Sequence, residues 1–199
     1  MDELFPFFVF LNKFVELSHS EFEHYVQPYV VLRQFDAKKV VSAAGAVENY
    51  FNFLLSGLAR TYFKKGDEEI VIQIATEGHI IHAQESFHNR QPSRYTVETI
   101  EPSRFASITY NGLEMIYAAN GKMQHLGRKV VTFTMLLKEK MQWQAVTLSP
   151  RERFLHFMER HPALLQRVPQ KYVASYLNIQ PETFSRFKHL LREKRVTEE

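Results

Sequence analysis

"VPQKYVASYLNIQPETFSRFKHLL", Val168 to Leu191, decides how the rest of the chain is read. Pro169 to Leu177 forms a short amphipathic stretch. Asn178 follows, a residue that tolerates a left-handed backbone, and Ile179 supplies an apolar plug. A second helix opens at Pro181, where proline is tolerated because it lies in the first turn. Phe184, Phe187 and Leu191 recur at i, i+3 and i+7 with Leu190 beside them, giving one buried stripe. Glu182, Ser185, Arg186 and His189 fall on another face, and Ala174 is small where two helices would cross closely. The pattern predicts a helix-turn-helix whose second helix would lie in the major groove of DNA. Its alternative is a plain helical hairpin with solvated charges.

In the first reading Arg186 can bond bidentately to guanine, and Glu182 can accept from cytosine N4. Ser185 and His189 share their face. Gln170, Lys171, Thr183, Lys188 and Arg192 suit phosphate contacts by type. Charge agrees. Residues 150–199 hold 10 Lys+Arg against 6 Asp+Glu, whereas residues 1–149 hold 15 against 16, so the basic excess sits wholly at the C-terminal end.

Upstream, "LSPRERFLHFMERHP" (Leu148 to Pro162) predicts a helix capped by Ser149, with Pro150 at its first position and Glu152 completing a capping box. Before it, Gly121 to about Thr147 has no proline. Met123, Leu126, Val130, Phe133 and Leu137 follow one another at 3,4,3,4 spacing. Such a seam predicts a homodimer paired along this long helix; a core helix packed on its own domain has the same spacing. "NGLEMIYAAN" reads as a short helix capped by Asn111.

Between residues 28 and 110 the pattern is β. Tyr29 to Phe35, Tyr50 to Leu55, Leu58 to Phe63, Glu69 to Ala75, Arg94 to Ile100 and Arg104 to Tyr110 are short, β-branched or aromatic, and separated by turn signals. Many short strands at close spacing predict a barrel or sandwich. Residues 1–27 look helical, and "LFPFFVFL" is too short to span a bilayer.

Composition sets the bounds. Apolar residues at 45% and charged residues at 24% fit a soluble globular chain of 199 residues. With 0 cysteines, disulfides and Cys-based zinc or iron–sulfur sites are excluded, and a cytoplasmic location fits. His79, His82, Glu85 and His88 recur every three residues, but not with the spacing of a cupin metal site. No Gly-rich phosphate loop, GxSxG or HExxH occurs, so neither an enzyme nor a resident metal is expected.

The chain resembles the Crp/Fnr family of bacterial transcription regulators, in a style like its Bacteroidetes branch. "PETFSR" (Pro181 to Arg186) resembles that family's recognition helix, in which the Glu and Arg read bases. "LLQRVPQKYVASYLNI" (Leu164 to Ile179) resembles its first helix and turn, and "GAVENYFNFLLSGLAR" (Gly45 to Arg60) its cyclic-nucleotide-binding β-roll. The resemblance implies an α+β chain. Its parts would be a β-roll (a double-stranded β-helix) over residues 1–120, a dimerisation helix over 121–147, and a helix-turn-helix domain over 148–199. It implies double-stranded DNA, a second copy and RNA polymerase as partners, and no membrane.

Two departures shape the expectations. In the family's phosphate cassette a Gly-Glu pair is followed by a short helix and an Arg; the Glu holds the ribose hydroxyl and the Arg the cyclic phosphate. Here His82 and Ala83 stand for Gly-Glu, and Ser93 stands where the Arg is expected, with Glu85, Arg94 and Thr96 nearby. A slipped Arg on a strand points to the other face. Without an anion partner, cyclic AMP is not expected to bind in the usual way. The effector is another small molecule or none. The second departure is the end: "VTEE" stands where members continue into a β-hairpin wing, so the wing is expected to be absent or reduced. Pro181 also replaces a base-contacting Arg of many members. The rival to DNA binding is a dimeric sensor or scaffold.

Overall fold

The computed structural model describes the backbone of residues 2–197 and the side chains of residues 3–189. Two compact units divide the chain: residues 1–63 with 73–136, and residues 64–72 with 137–199. The boundary between residues 136 and 137, which falls within a helix, and the assignment of residues 64–72 to the C-terminal unit have no counterpart in the sequence pattern.

Seven strands build the β-roll. β1 (Val30–Phe35), β7 (Ser103–Thr109) and β3 (Tyr50–Ser56) form one antiparallel sheet in that order. β2 (Val40–Ser42), β6 (Thr96–Thr99), β4 (Ala59–Lys65) and β5 (Glu68–Ala75) form the other. Six of these match the predicted strands within a few residues. β2 was not predicted: three residues carry no readable alternation. The β3–β4 turn needs Gly57, at φ 98°, because a Cβ there would come within 2.4 Å of the Pro102 carbonyl oxygen.

Register gives the two faces of the first sheet opposite chemistry. Phe51 and Phe53 alternate with Asn52 and Leu54, and Ala106 and Ile108 with Phe105 and Ser107. The outer set lies in a core with Phe7, Phe10 and Leu11 of α1 (Phe5–Asn12) and Phe22 of α2 (His19–Tyr25). The ring of Phe53 stands 5.0 Å from those of Phe7 and Phe10. Leu54 and Phe105 point inward with Ala59, Ala75, Ile81 and Val97. Beside this small apolar set the inner face turns polar. Asn52 Oδ1 accepts from Ser107 Oγ at 2.7 Å and from Arg33 Nη1 at 3.3 Å, and the Arg33 guanidinium lies 4.1 Å over the Tyr50 ring.

Helix α4 (Tyr110–Ala119) is capped by Thr109, whose Oγ1 accepts from Gly112 N at 3.0 Å. The expected Asn111 cap is therefore displaced by two residues. Thr109 ends β7 in extended backbone, and that is the geometry an N-cap requires.

Helix α5 (Gly121–Thr147) has its predicted extent. Met123, Leu126 and Val130 are buried in the protomer's own core against the outer face of β3 and β7. Phe133 and Leu137 are both exposed, at 38% and 42%, although the Phe133 ring lies 5.2 Å from that of Phe14. Burial of Met123, Leu126 or Val130 stabilises the unit by about 1.5–3 kcal/mol each. Gly127 lets the Tyr117 ring lie on the helix, since a Cβ there would meet Tyr117 Cε1 at 2.2 Å. Burial pushes the Tyr117 hydroxyl up to about 12. The apolar residues α5 leaves exposed include Val131, Met135, Leu136, Trp143 and Val146.

In the second unit α6 (Pro150–Arg160) has the predicted capping box: Ser149 Oγ accepts from Glu152 N, and Glu152 Oε2 accepts from Ser149 N at 2.8 Å. Its Phe154 ring meets that of Phe184 edge-on at 5.2 Å. A short α7 (Leu164–Arg167), which was not predicted, precedes the last two helices. Among the described residues no helix is long and apolar enough to cross a membrane.

Candidate nucleic-acid interface

α8 (Gln170–Tyr176) and α9 (Pro181–Thr197) flank a tight turn. Asn178 takes the left-handed conformation at φ 51°, and Ile179 N donates to the Ala174 carbonyl at 2.9 Å. Val173, Ala174, Leu177, Ile179 and Phe184 are all buried, so the turn is closed from inside. Ala174, 1% exposed, is small at the crossing, as its side-chain size implied.

With Phe184 turned inward, helical geometry turns its neighbours outward. Glu182, Ser185, Arg186 and His189 are exposed, and they share one face of α9. Gln170 and Lys171 are exposed, whereas Thr183 and Lys188 are half-buried. The side chain of Arg192 lies outside the described residues, as do those of Leu190 and Leu191 in the expected apolar stripe. Arg186 rests its guanidinium 5.9 Å from the Phe187 ring and Lys171 its ammonium 5.1 Å from the Tyr172 ring. Among the described residues neither has an ion-pair partner. Cations displayed over rings and not spent on carboxylates suit an external anion. No strand follows α9 among the described residues; the helix continues to Thr197.

The degenerate cassette is built differently. α3 (Gln84–Asn89) starts after Ala83, which is buried, as is His82 between the rings of Phe51 and Phe87. Ser93 is buried and turned onto its own loop, donating to the Tyr95 carbonyl at 2.8 Å. Thr96 Oγ1 accepts from Ala44 N at 3.2 Å. Arg94 is exposed and pairs with Glu85 at 2.6 Å, which raises its already high pKa. Arg94 sits in the bend before β6 and not on the strand itself, and its guanidinium faces solvent. Among the described residues no group of three metal-ligating side chains forms.

Three charged residues at this end went unnoticed in the sequence. Glu48 is 2% exposed, its Oε1 accepting from Tyr50 N at 3.1 Å and its Oε2 from Ala83 N at 3.3 Å; burial raises its pKa. Arg90, left-handed at φ 54°, donates to the Glu48 carbonyl at 2.7 Å and to Asn49 Oδ1 at 2.7 Å. Arg33 is half-buried, and desolvation lowers its pKa. Glu48 sits in "GAVEN", which reads as an ordinary turn, so nothing local marks its carboxylate as interior.

Comparison with known proteins adds to this geometry. Residues 32–120 match the protein family described as Cyclic nucleotide-binding domain. No curated protein sequence matches the chain. Among solved structures, FixK2 from Bradyrhizobium japonicum is similar at 13% identity and a TM-score of 0.71, with 83% of this chain and 85% of that chain covered. The c-di-GMP responsive global regulator CLP of Xanthomonas campestris gives 14% identity and 0.66, covering 88% and 92%. The catabolite activator protein of Thermus thermophilus gives 15% and 0.53, covering 92% and 87%. At such identities the likeness is one of fold, and it lends no support to a Bacteroidetes-like style. The chain thus has the α+β fold of these structures, with a β-roll that matches the cyclic nucleotide-binding domain over residues 32–120.

Proposed function

We propose that the protein is a DNA-binding transcription regulator that reads a two-fold symmetric site as a homodimer. The observation that carries this is the split of α9: Phe184 is buried, while Glu182, Ser185, Arg186 and His189 share one exposed face. The names of two proteins of similar fold, a global regulator and a catabolite activator, support it. Arg186 and Glu182 are the base-reading pair, with Ser185 and His189 beside them. Gln170, Lys171, Thr183, Lys188 and Arg192 hold phosphates. Pairing runs along the outward side of α5, through the exposed Val131, Met135, Leu136, Trp143 and Val146, because Met123, Leu126 and Val130 are committed to the protomer core. Two recognition helices then stand about 34 Å apart, one turn of DNA.

Cyclic AMP is not the effector, since Ser93 stands where the cassette Arg is expected, Arg94 pairs with Glu85 in solvent, and Arg90 is engaged by the Glu48 backbone carbonyl and Asn49 Oδ1. Any signal acts through its differential affinity for two arrangements of the DNA-reading helices. Contact with RNA polymerase and a cytoplasmic location follow from the same reading. The test is selection of bound duplexes from random DNA by the purified full chain, with and without cyclic nucleotides. Enrichment of a symmetric motif indifferent to nucleotide supports the proposal; recovery of random sequence refutes it.

A further inference from the structure

One side chain of the second unit is engaged far more densely than its place in the sequence suggests. Arg153, one turn into α6, donates from all three guanidinium nitrogens to four backbone carbonyls. Its Nη1 bonds the Leu148 oxygen at 2.6 Å and the Ala145 oxygen at 3.3 Å. Its Nε bonds the Leu177 oxygen at 2.8 Å, and its Nη2 the Asn178 oxygen at 3.1 Å. The first two carbonyls belong to the last turn of α5 and the residue just beyond it. The other two belong to the end of α8 and the left-handed residue of the tight turn. The last carbonyls of a helix have no partner within it and carry the negative end of its dipole. A single cation therefore caps two helix ends that lie 24 and 25 residues from it on one side and 8 and 5 on the other.

We infer that Arg153 is a positioning residue, which sets the direction of the DNA-reading helix relative to the long helix. Three facts give it that reach. Its backbone is fixed by the Ser149–Glu152 capping box immediately before it and by the buried Phe154 immediately after it. The guanidinium is planar, so its bonds to the two helix ends are held at a fixed mutual angle. The turn it grips leads within three residues into Pro181, the start of α9. A lysine here would keep the charge but present one rotatable nitrogen, unable to hold both ends at a set angle.

The consequence for function rests on the DNA-reading proposal. In a two-fold dimer the direction of α9 relative to α5 decides which spacing of half-sites both recognition helices reach together. Two measurements on full-length protein test it, with Arg153→Lys and the neutral Arg153→Gln as variants. The first needs no DNA. Spin labels at positions 139 and 189, in labelled chain diluted with unlabelled chain, report the α5–α9 distance by pulsed electron resonance. Wild type should give one narrow distribution and both variants a broader one. The second compares duplexes carrying one half-site, or two half-sites at varied spacing. Wild type should prefer one spacing by about tenfold or more. Arg153→Lys should flatten that preference to less than about threefold while changing single half-site affinity by less than about threefold. Unchanged distance distributions in both variants would overturn the inference, as would a parallel loss on one-site and two-site duplexes. Broadened distributions with no sequence preference in wild type would leave Arg153 as the mount of the helix and refute the DNA reading instead.

Discussion

Cations are used in opposite ways at the two places where this chain could meet an anion. At the cassette they are turned onto the protein itself. Arg94 is engaged by the Glu85 carboxylate, and Arg90 is stretched over the Glu48 backbone carbonyl, Asn49 Oδ1 and the ring of Tyr110. On α9 and α8, Arg186 and Lys171 make no ion pair among the described residues and lie against their own neighbouring rings. Arg94 would have to leave the Glu85 carboxylate to hold a phosphate, whereas Arg186 has no carboxylate partner to leave among the described residues. The difference supports the proposal that the chain meets an anion at the helix-turn-helix and not at the cassette.

The contrast breaks most completely if α9 is not anchored. Phe184→Ala should remove the edge-on contact with Phe154 and leave a cavity, destabilising the second unit by about 3–5 kcal/mol. Urea unfolding followed by far-ultraviolet circular dichroism measures it, and a loss below about 1 kcal/mol would mean the stripe is not the anchor. Next in size is Arg186→Ala, which should cost about 1–3 kcal/mol on the preferred site and almost nothing on random sequence, as competition gel shifts can read. A third change sharpens the division of labour on α9. Lys188→Ala should weaken every sequence alike and lower the slope of log affinity against log salt by about 0.9, the share of one phosphate.

The cassette side carries the smaller effects. Burial raises the Glu48 pKa, so the folded state holds this proton more tightly than the unfolded chain. The ionised group therefore opposes folding at neutral pH, and that opposition fades as the pH falls through its folded pKa. Wild type should gain stability relative to Glu48→Gln as the pH is lowered from 7 towards the ordinary carboxylate range, in paired urea titrations; a relative loss would mean Glu48 is held as a stabilised carboxylate. Smallest of all, Arg94→Ala should change neither melting temperature nor DNA affinity, and calorimetry with cyclic AMP should give no saturable heat for either chain. Saturable binding by wild type that Arg94→Ala abolishes would show that the Glu85 pair opens to a ligand.

Much of this was legible in the residues, and the rest was hidden for physical reasons. Local signals survived folding: the Ser149 capping box, Asn178 in its turn, Phe184 inward and Arg186 outward, and the β-branched and aromatic runs of six strands. The long helix was half legible. Its 3,4,3,4 stripe exists, but an apolar stripe does not say whether it meets a second helix or its own domain. The outer face of β3 and β7 won Met123, Leu126 and Val130 because their partners, Phe7, Phe51 and Phe53, lie far away in sequence. The same non-locality hid Glu48, Arg90 and Arg153. Each is a charged residue in a polar stretch, and only tertiary structure brings orphan backbone groups to it. Ser175 belongs with them: its hydroxyl accepts from Val71 N at 2.9 Å and donates to the Glu69 carbonyl at 3.2 Å, on β5 over a hundred residues earlier.

The account depends on an exposed arginine reading base pairs, and the direct measurement is competition binding at fixed salt. The duplex selected by the purified chain is set against a scrambled duplex of equal length. Wild type should favour the selected sequence by about a thousandfold or more, and Arg186→Ala should lose at least about tenfold of that preference. Equal affinity of wild type for both duplexes, or a preference untouched in Arg186→Ala, would contradict it.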